Sequence, residues 1–165
     1  MRRVTREPRG PVGWYRKASY FSELPPAFAN ARVEHVMRRG VLTCPPETGI
    51  RAVAEMMAAN HVHALVVTGF GDGGPGRDGW AVISDLDLMN AMRGEAEDEP
   101  TAGDVAKRPV VVTASDSASH AAQLMCEHGT SHLIVVDEEA RPAGVVSTLD
   151  LAAALAWGLG EANAG

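Results

Sequence analysis

The sequence predicts an α/β (α+β) protein of two tandem units, each running strand, helix, strand, strand, helix, packed together with pseudo-twofold symmetry. Three observations carry this prediction. The chain repeats itself at a near-constant offset. Each copy alternates short apolar runs with a one-sided helical stripe. Each copy also closes a strand with Ser-x-x-Asp at the opening of a helix, Ser84 with Asp87 and Ser147 with Asp150.

The offset is 69 residues over most of its length. At that shift Val36–Val67 lies on Val105–Val136 without a gap, and eight of 32 pairs are identical. They are Val36/Val105, Arg39/Arg108, Val41/Val110, Ala52/Ala121, Met56/Met125, His63/His132, Val66/Val135 and Val67/Val136. On this alignment His63 and His132 hold equal positions. The offset then drops to 63, laying Ile83–Leu88 on Val146–Leu151. The six-residue difference falls in Gly69–Gly79, a Gly- and Asp-rich stretch that reads as a loop.

In the first unit Val41–Thr43 is a short strand, and Cys44-Pro45-Pro46-Glu47 is a turn. Ile50, Val53, Ala54, Met57 and Ala58 then recur at helical spacing and form a one-sided stripe. Ala64–Thr68 and Trp80–Ser84 are continuous apolar runs, hence buried strands. Leu86, Leu88, Met89 and Met92 dress a closing helix that Gly94 ends. In the second unit Asp116 suits an N-cap, and Ala118, Ala121, Ala122, Met125 and Cys126 make the stripe. Leu133–Val136 and Ala143–Ser147 are its strands, and Leu149, Leu151, Ala152 and Leu155 line its closing helix. Asn60 and Gly129 match in position and suit helix ends, where positive φ is needed. A unit of about 60 residues buries too little surface to stand alone. The two are therefore expected to pack sheet edge to sheet edge. The organisation reads as an N-terminal basic and aromatic arm (1–32), a first repeat (33–94), a linker (95–101), a second repeat (102–158) and a tail (159–165).

Composition narrows the function classes. Apolar residues make up 45% of the chain but aromatics only 5%, so the core is built from Val, Leu, Ala, Met and Ile. No apolar run reaches the roughly 18 residues of a membrane span. Met1-Arg2-Arg3 is followed by no apolar stretch, so no signal peptide is expected. Cys44 and Cys126 lack metal-ligand spacing and read as reduced core thiols, which suits the cytoplasm. His61 and His63 have no acidic or thiol partner at a familiar spacing, so no metal is expected. Residues 1–32 carry seven Lys/Arg against two Asp/Glu; residues 33–165 carry eight against nineteen. An acidic body makes a poor nucleic-acid binder. In the arm, Trp14, Tyr15, Tyr20, Phe21, Leu24 and Phe28 read as a strap over the core or across a dimer rather than a base-stacking surface. No nucleophile–base pair and no Gly-rich phosphate loop followed by Lys-Ser/Thr is present, so the chain does not read as an enzyme.

The duplicated Ser-x-x-Asp admits two readings. One is a capping box that needs no ligand. The other is a binding site, because a helix N-terminus attracts an anion, the Ser hydroxyl donates, and the Asp accepts the hydroxyls of a ribose. Gly144, just before Ser147, allows a ligand or backbone to come close, whereas Ala81 holds the matching place in the first unit.

The order of these segments, twice over, resembles the CBS domain family, the cystathionine β-synthase repeat that occurs in pairs. The carriers in the first copy are Val36-Met37, Val41-Leu42-Thr43, Pro46-Glu47-Thr48, Ala52 with Met56-Met57, His63–Val67 and Ile83–Leu88. In the second they are Val105, Pro109–Val112, Asp116-Ser117, His132–Asp137 and Gly144–Leu151. The likeness spans about residues 33–157. It implies clefts between repeats that bind an adenine nucleotide or S-adenosylmethionine, with no other cofactor. It further implies that Ser147 and Asp150 serve one cleft, and Ser84 and Asp87 the other. The adenine would be walled by Thr43 and Cys44 with Val62, His63 and Ala64, and by Val112 and Thr113 with Ser131, His132 and Leu133. The chain departs from the family pattern at Ala81, in the absence of a proline before the strand valines, and in the long Gly69–Gly79 loop.

The expected function is thus a regulatory, ligand-sensing module. Few Lys or Arg lie near the sites, with Arg38, Arg39, Lys107 and Arg108 the candidates, so AMP, adenosine or S-adenosylmethionine is expected over ATP. The alternative is a homodimeric interaction scaffold whose Ser-x-x-Asp pairs are only caps. Its contact faces would be the helix Ile50–Ala59 and the Ala- and Met-rich closing helices. The protein partner that reads either state is not specified by the sequence.

Overall fold

The computed structural model describes residues 26–70, 79–93 and 98–158. Gly94, most of the arm, the centre of the long loop, part of the linker and the tail lie outside these residues. The first repeat contains β2 (Thr43–Cys44), α3 (Ile50–Asn60), β3 (Ala64–Thr68), β4 (Trp80–Ser84) and α4 (Asp85–Ala91). The second contains β5 (Val111–Thr113), α6 (Ala118–His128), β6 (His132–Val136), β7 (Pro142–Ser147) and α7 (Thr148–Trp157). Each repeat is preceded by a lead-in. Before the first come α1 (Pro26–Ala29), α2 (Val33–Val36) and β1 (Arg38–Arg39); before the second comes α5 (Ala102–Val105). The strand, helix, strand, strand, helix order holds in both copies.

The lead-ins are exchanged. β1 pairs antiparallel with β7 of the second repeat, making a sheet of order β1-β7-β6-β5. Lys107, the counterpart of Arg38, exchanges both backbone hydrogen bonds with Val82 of β4, at the edge of the β2-β3-β4 sheet. The helices follow. Phe28, Ala31, Val33, Val36 and Met37 are buried in the second repeat's core beside Ala121, Met125, Leu133 and Val146. Ala102, Val105 and Ala106 pack in the first repeat's core with Val53, Met57, Leu65 and Ile83. Phe28 is buried in the second repeat's core, while Trp14, Tyr15, Tyr20, Phe21 and Leu24 of the expected strap lie outside the described residues.

The period-2 alternation of the strands explains how the halves meet. Leu65 and Val67 of β3 face their own helices, while Val66 faces away; Leu133 and Val135 of β6 do the same around Ile134. Val66, Trp80 and Ile134 form a third cluster with Val41, Val82, Val136 and Val145. The repeats therefore pack sheet face to sheet face, and the expectation of edge-to-edge packing captures only the lead-in exchange. Strands whose two faces are both covered read as unbroken apolar runs, which is how they appear in the sequence.

The structure also corrects the register of the repeat. Thr43 pairs with Val66 and Val111 with Ile134; Ala64 pairs with Ser84 and His132 with Ser147. From β2 through β3 the true offset is 68, so His63 corresponds to Ser131 and Ala64 to His132. The offset of 69 survives only in the lead-ins, where Val33–Val36 matches Ala102–Val105. The extra residue falls between Arg38 and Leu42, where Gly40 turns the chain with φ +82. Val, Met and Ala recur so often that a one-residue slip still yields identities. The same slip explains why His61, not Asn60, takes the left-handed conformation that Gly129 takes in the second repeat.

Smaller differences have local causes. Ser117, not Asp116, caps α6, accepting from His120 N–H at 3.1 Å; Asp116 turns back to accept from Thr113 N–H at 2.7 Å. Cys44 is buried, but Cys126 is exposed on α6 and is not a core thiol. The α3 stripe is narrower than its spacing suggested: Val53 and Met57 are buried, whereas Ala54 and Ala58 face solvent.

Gly144 belongs to the exchange. A Cβ built there would lie 2.5 Å from the Arg38 carbonyl oxygen and 2.5 Å from the Met37 terminal methyl. Backbone, not ligand, makes the close approach. Gly144→Ala is expected to push β1 off β7 and destabilise the protein by about 1–3 kcal/mol, in the range of small-to-large changes at tight sites. Urea unfolding of the variant measures this, and an unchanged midpoint would contradict the contact.

Candidate functional site

Both Ser-x-x-Asp pairs form closed capping boxes at strand–helix junctions. Asp150 Oδ2 accepts from Ser147 N–H at 2.8 Å and from Ser147 Oγ–H at 2.6 Å, while Asp150 N–H donates to Ser147 Oγ at 3.2 Å. Asp87 repeats this with Ser84 at 2.9, 2.7 and 3.2 Å. A third box, Thr101 with Asp104, caps α5 with distances of 2.9 and 2.7 Å to Oδ2. Asp104 is exposed, so the spacing by itself marks a helix start. Burial sets the two strand-end boxes apart. The side chains of Asp87 and Asp150 are only 10% and 13% exposed.

In each pair Oδ2 is consumed by the box and Oδ1 faces a cation from an exchanged lead-in. Arg38 Nε lies 3.6 Å from Asp150 Oδ1, and Lys107 Nζ contacts Asp87 Oδ1 directly. Burial pushes the Asp87 carboxyl up. The Lys107 ammonium and the Ser84 hydroxyl and amide outweigh it and hold the group below the ordinary carboxylate range.

A cleft of about 690 Å³ opens at Asp150, within the size range of small-molecule sites. Ser147, Thr148, Leu149 and Asp150 form its floor, and the lead-in contributes Arg38 to Leu42. The end of α3 and the start of β3 supply Asn60 to Ala64, with Asp85, Ser131, His132 and Val145 completing the wall. Of the residues predicted for the sites, Ser147, Asp150, Ser131, His132, Val62, His63 and Ala64 meet here. Ser84 and Asp87 lie at the other junction. Cys44, Val112 and Leu133 face the helix-side cores, and Gly144 is covered by Arg38. Thr43 and Thr113 lie on the parallel strands β2 and β5, away from this cleft. The family pattern places wall residues at strand ends; here β2 and β5 turn those side chains into or beyond the core. Gly40, His61 and Asp85 were not predicted as lining, whereas Arg38 and Arg39 were expected among the cations near the sites and are found there. Arg39 and Gly40 arrive through the lead-in exchange, which no local pattern announces.

The cleft wall carries a polar chain across the two repeats. The His63 and His132 rings stack with centroids 6.0 Å apart and planes inclined by 23°. His63 Nδ1 lies 2.9 Å from Asp85 Oδ2, and His132 Nδ1 lies 2.9 Å from Ser131 Oγ. Burial holds the His132 imidazole below its ordinary value; Asp85 and Asp150 pull it up and His63 pushes it further down. The Thr148 amide, which a bare helix N-terminus would offer to an anion, is already given to the Ser131 carbonyl at 3.0 Å. Arg38 and Arg39 are therefore the cations an anion would meet in this cleft. Among the described residues no group of three or more His, Cys, Asp or Glu could hold a metal ion, and no helix is long and apolar enough to cross a membrane.

These protonation states fix a pH dependence. Below pH 6.5 the unfolded chain protonates His132 while the folded chain resists, so stability falls as pH drops from 7 through the window under 6.5. Asp87 contributes stability that is complete above 3.8 and is lost as pH falls through its lower folded value. Urea unfolding from pH 7 to 5 is expected to show the first loss, and His132→Gln is expected to flatten it. An equal slope in the variant would contradict the assignment.

Comparison with known proteins agrees with this architecture. The CBS domain family model matches residues 33–94 and 102–156. A search of curated proteins finds no match. Among solved structures, the chain is similar to CBSX2 in complex with AMP, with 23% identity, TM-score 0.60, and coverage of 75% of this chain and 95% of that one. It is similar to a CBS domain protein from Pyrobaculum aerophilum complexed with AMP, with 29% identity, TM-score 0.62, and coverage of 72% and 88%. It is also similar to the CBS domain pair of protein MJ0100 in complex with 5′-methylthioadenosine and S-adenosyl-L-methionine, with 18% identity, TM-score 0.63, and coverage of 74% and 97%. With the duplicated order of elements and both matched spans covering most of its length, the chain belongs to the CBS domain family.

Proposed function

We propose that the chain is a non-catalytic regulatory module of the cytoplasm that binds an adenosine-containing ligand at Asp150 and passes its occupancy to a protein partner. One observation carries this reading: a nearly buried carboxylate, Oδ2 held in its capping box and Oδ1 beside Arg38, lines a 690 Å³ cleft walled by both repeats. Ribose hydroxyls are the natural donors to Oδ1. Val62, Ala64 and the neutral face of His132 offer an apolar wall to an adenine ring. Similar proteins are described in complex with AMP or with S-adenosyl-L-methionine, which supports this ligand class. Arg38 and Arg39 are offset by Asp85 and Asp150, so the cleft holds no surplus of cationic charge and each added phosphate is less well matched than the last. AMP, adenosine or S-adenosylmethionine is therefore preferred over ATP.

A second reading, a homodimeric scaffold, rests on its own observation. Leu86 and Met89 on α4 and Met92 just after it are exposed, as are Leu149, Leu155 and Trp157 on α7. Such a concentration of exposed apolar side chains on two helices suits a contact between copies. The α3 face proposed for the same role carries no such large exposed side chains.

A thermal-shift panel of AMP, adenosine, S-adenosylmethionine and ATP separates the two. Ligand at about 100 times its dissociation constant stabilises by about 2.7 kcal/mol, and the first three are expected to raise Tm more than ATP. No stabilisation by any of them at millimolar concentration would sink the sensor. Asp150→Ala removes a cap and is expected to cost about 0.5–2 kcal/mol. The sensor predicts that it also abolishes the ligand shift, whereas the scaffold predicts an unchanged assembly. Leu149→Glu with Trp157→Glu is expected to give a monomer in analytical ultracentrifugation if the exposed helices join two copies.

A further inference from the structure

Around neutral pH the permanent charges of the Asp150 cleft cancel, with Arg38 and Arg39 from the lead-in against Asp85 at the start of α4 and Asp150 at the start of α7. Three histidines share the same lining: His61 just after α3, His63 just before β3, and His132 at the start of β6. Histidine is the side chain whose ordinary titration falls between about pH 5 and 8, so these rings set the net charge of the cleft as the solution becomes acidic. Two of them form one unit. His63 belongs to the first repeat and His132 to the second, and their rings stack across the boundary with centroids 6.0 Å apart. Each ring is anchored through Nδ1, His63 against Asp85 Oδ2 at 2.9 Å and His132 against Ser131 Oγ at 2.9 Å.

We propose that the His63–His132 stack makes the Asp150 cleft a proton-coupled site: protons on the pair draw an anionic ligand in, and an anionic ligand draws protons onto the pair. This rests on the ligand reading above. Two imidazolium rings this close repel, and Asp85, in contact with His63, offsets one of the two charges. Asp150 also acts on His132, but Arg38 stands 3.6 Å from that carboxylate and competes for it. An anion in the cleft supplies the missing negative charge. Side-chain cations decide how firmly it is held, because the Thr148 N–H is already given to the Ser131 carbonyl. Burial and His63 keep the His132 ring neutral to lower pH, and an anion opposes the second of these. The coupling is reciprocal, so protons and anion strengthen each other's binding by the same factor. A neutral adenosine compound has no such partner charge. His63 and His132 thus determine which charge of ligand the cleft prefers, and the choice follows the pH.

The test uses the full chain with adenosine and with adenosine 5′-sulfate, whose negative charge does not titrate in this range. Calorimetry between about pH 7.5 and about pH 5.5 brackets the histidine titration. On acidification the sulfate is expected to bind at least about fivefold more tightly, and adenosine to change by less than about twofold. Titrating the sulfate near pH 6.5 in two buffers of different ionisation enthalpy is expected to show net proton uptake, with none for adenosine. That uptake is read on the unaltered chain, so it decides the matter even where a variant does not fold. His63→Gln with His132→Gln is expected to abolish both the uptake and the pH response, and His61→Gln to keep them. No uptake with the sulfate, an equal pH response of the two ligands, or a response kept in the double variant or lost in His61→Gln overturns the coupling. Failure of the ligand reading looks different: neither compound binds at any pH, and the coupling falls with it. Binding of adenosine without a proton-linked gain for the sulfate overturns the coupling alone.

Discussion

The seam of Val66, Trp80 and Ile134, with the valines around them, is the contact on which the rest of the structure depends. Each repeat is too small to close its own core, and each sheet has one face covered by its own helices. The other face is stable only against its twin. That requirement places the two strand–helix junctions on either side of a common interface. It also lets the end of α3 in the first repeat wall a cleft floored by the second. A single repeat would present Ser147 and Asp150 as an ordinary helix cap on an open surface.

Much of the fold was legible because buried strands and one-sided helices leave different periods in sequence. Ala64–Thr68 and Trp80–Ser84 are found where their apolar runs lie. Two features were not legible. The exchange of lead-ins is a long-range pairing of two-residue segments, Arg38 and Arg39 with Val145 and Gly144, and so short a strand has no periodicity to read. The one-residue slip at Gly40 was hidden because Val66 over Val135 and Met56 over Met125 look as good as the true pairs, Val66 over Ile134 and Met57 over Met125. Only hydrogen-bond register separates them. The candidate site was half visible for the same reasons. Ser147, Asp150, His132 and the Val62–Ala64 wall came from motif and resemblance, while Gly40 and Asp85 are brought in by tertiary geometry. Thr43, Cys44, Val112, Thr113 and Leu133 were placed at strand ends by analogy, and strand alternation assigns Cys44, Val112 and Leu133 to the cores.

The capping boxes show how a structural device limits a chemical one. A box spends the serine hydroxyl proton and one carboxylate oxygen on the helix itself. What is left is one oxygen, and that oxygen faces a cation carried by an exchanged lead-in. Burial and the neighbouring charge, not the Ser-x-x-Asp spacing, distinguish Asp87 and Asp150 from Asp104, which has the same box and lies exposed at a helix start.

The exchanged lead-ins also have a topological consequence. Residues 28–37 are held in the core of the second repeat, and residues 102–106 in the core of the first. The halves are therefore clasped like two hooks, each gripping the body of the other. Severing the chain between Arg93 and Asp98 would cut the covalent thread and leave both grips closed, since neither depends on that peptide link. The pair is closer to a handshake than to beads on a string, and lifting the halves apart breaks both the β1–β7 pairing and the Lys107–Val82 bridge.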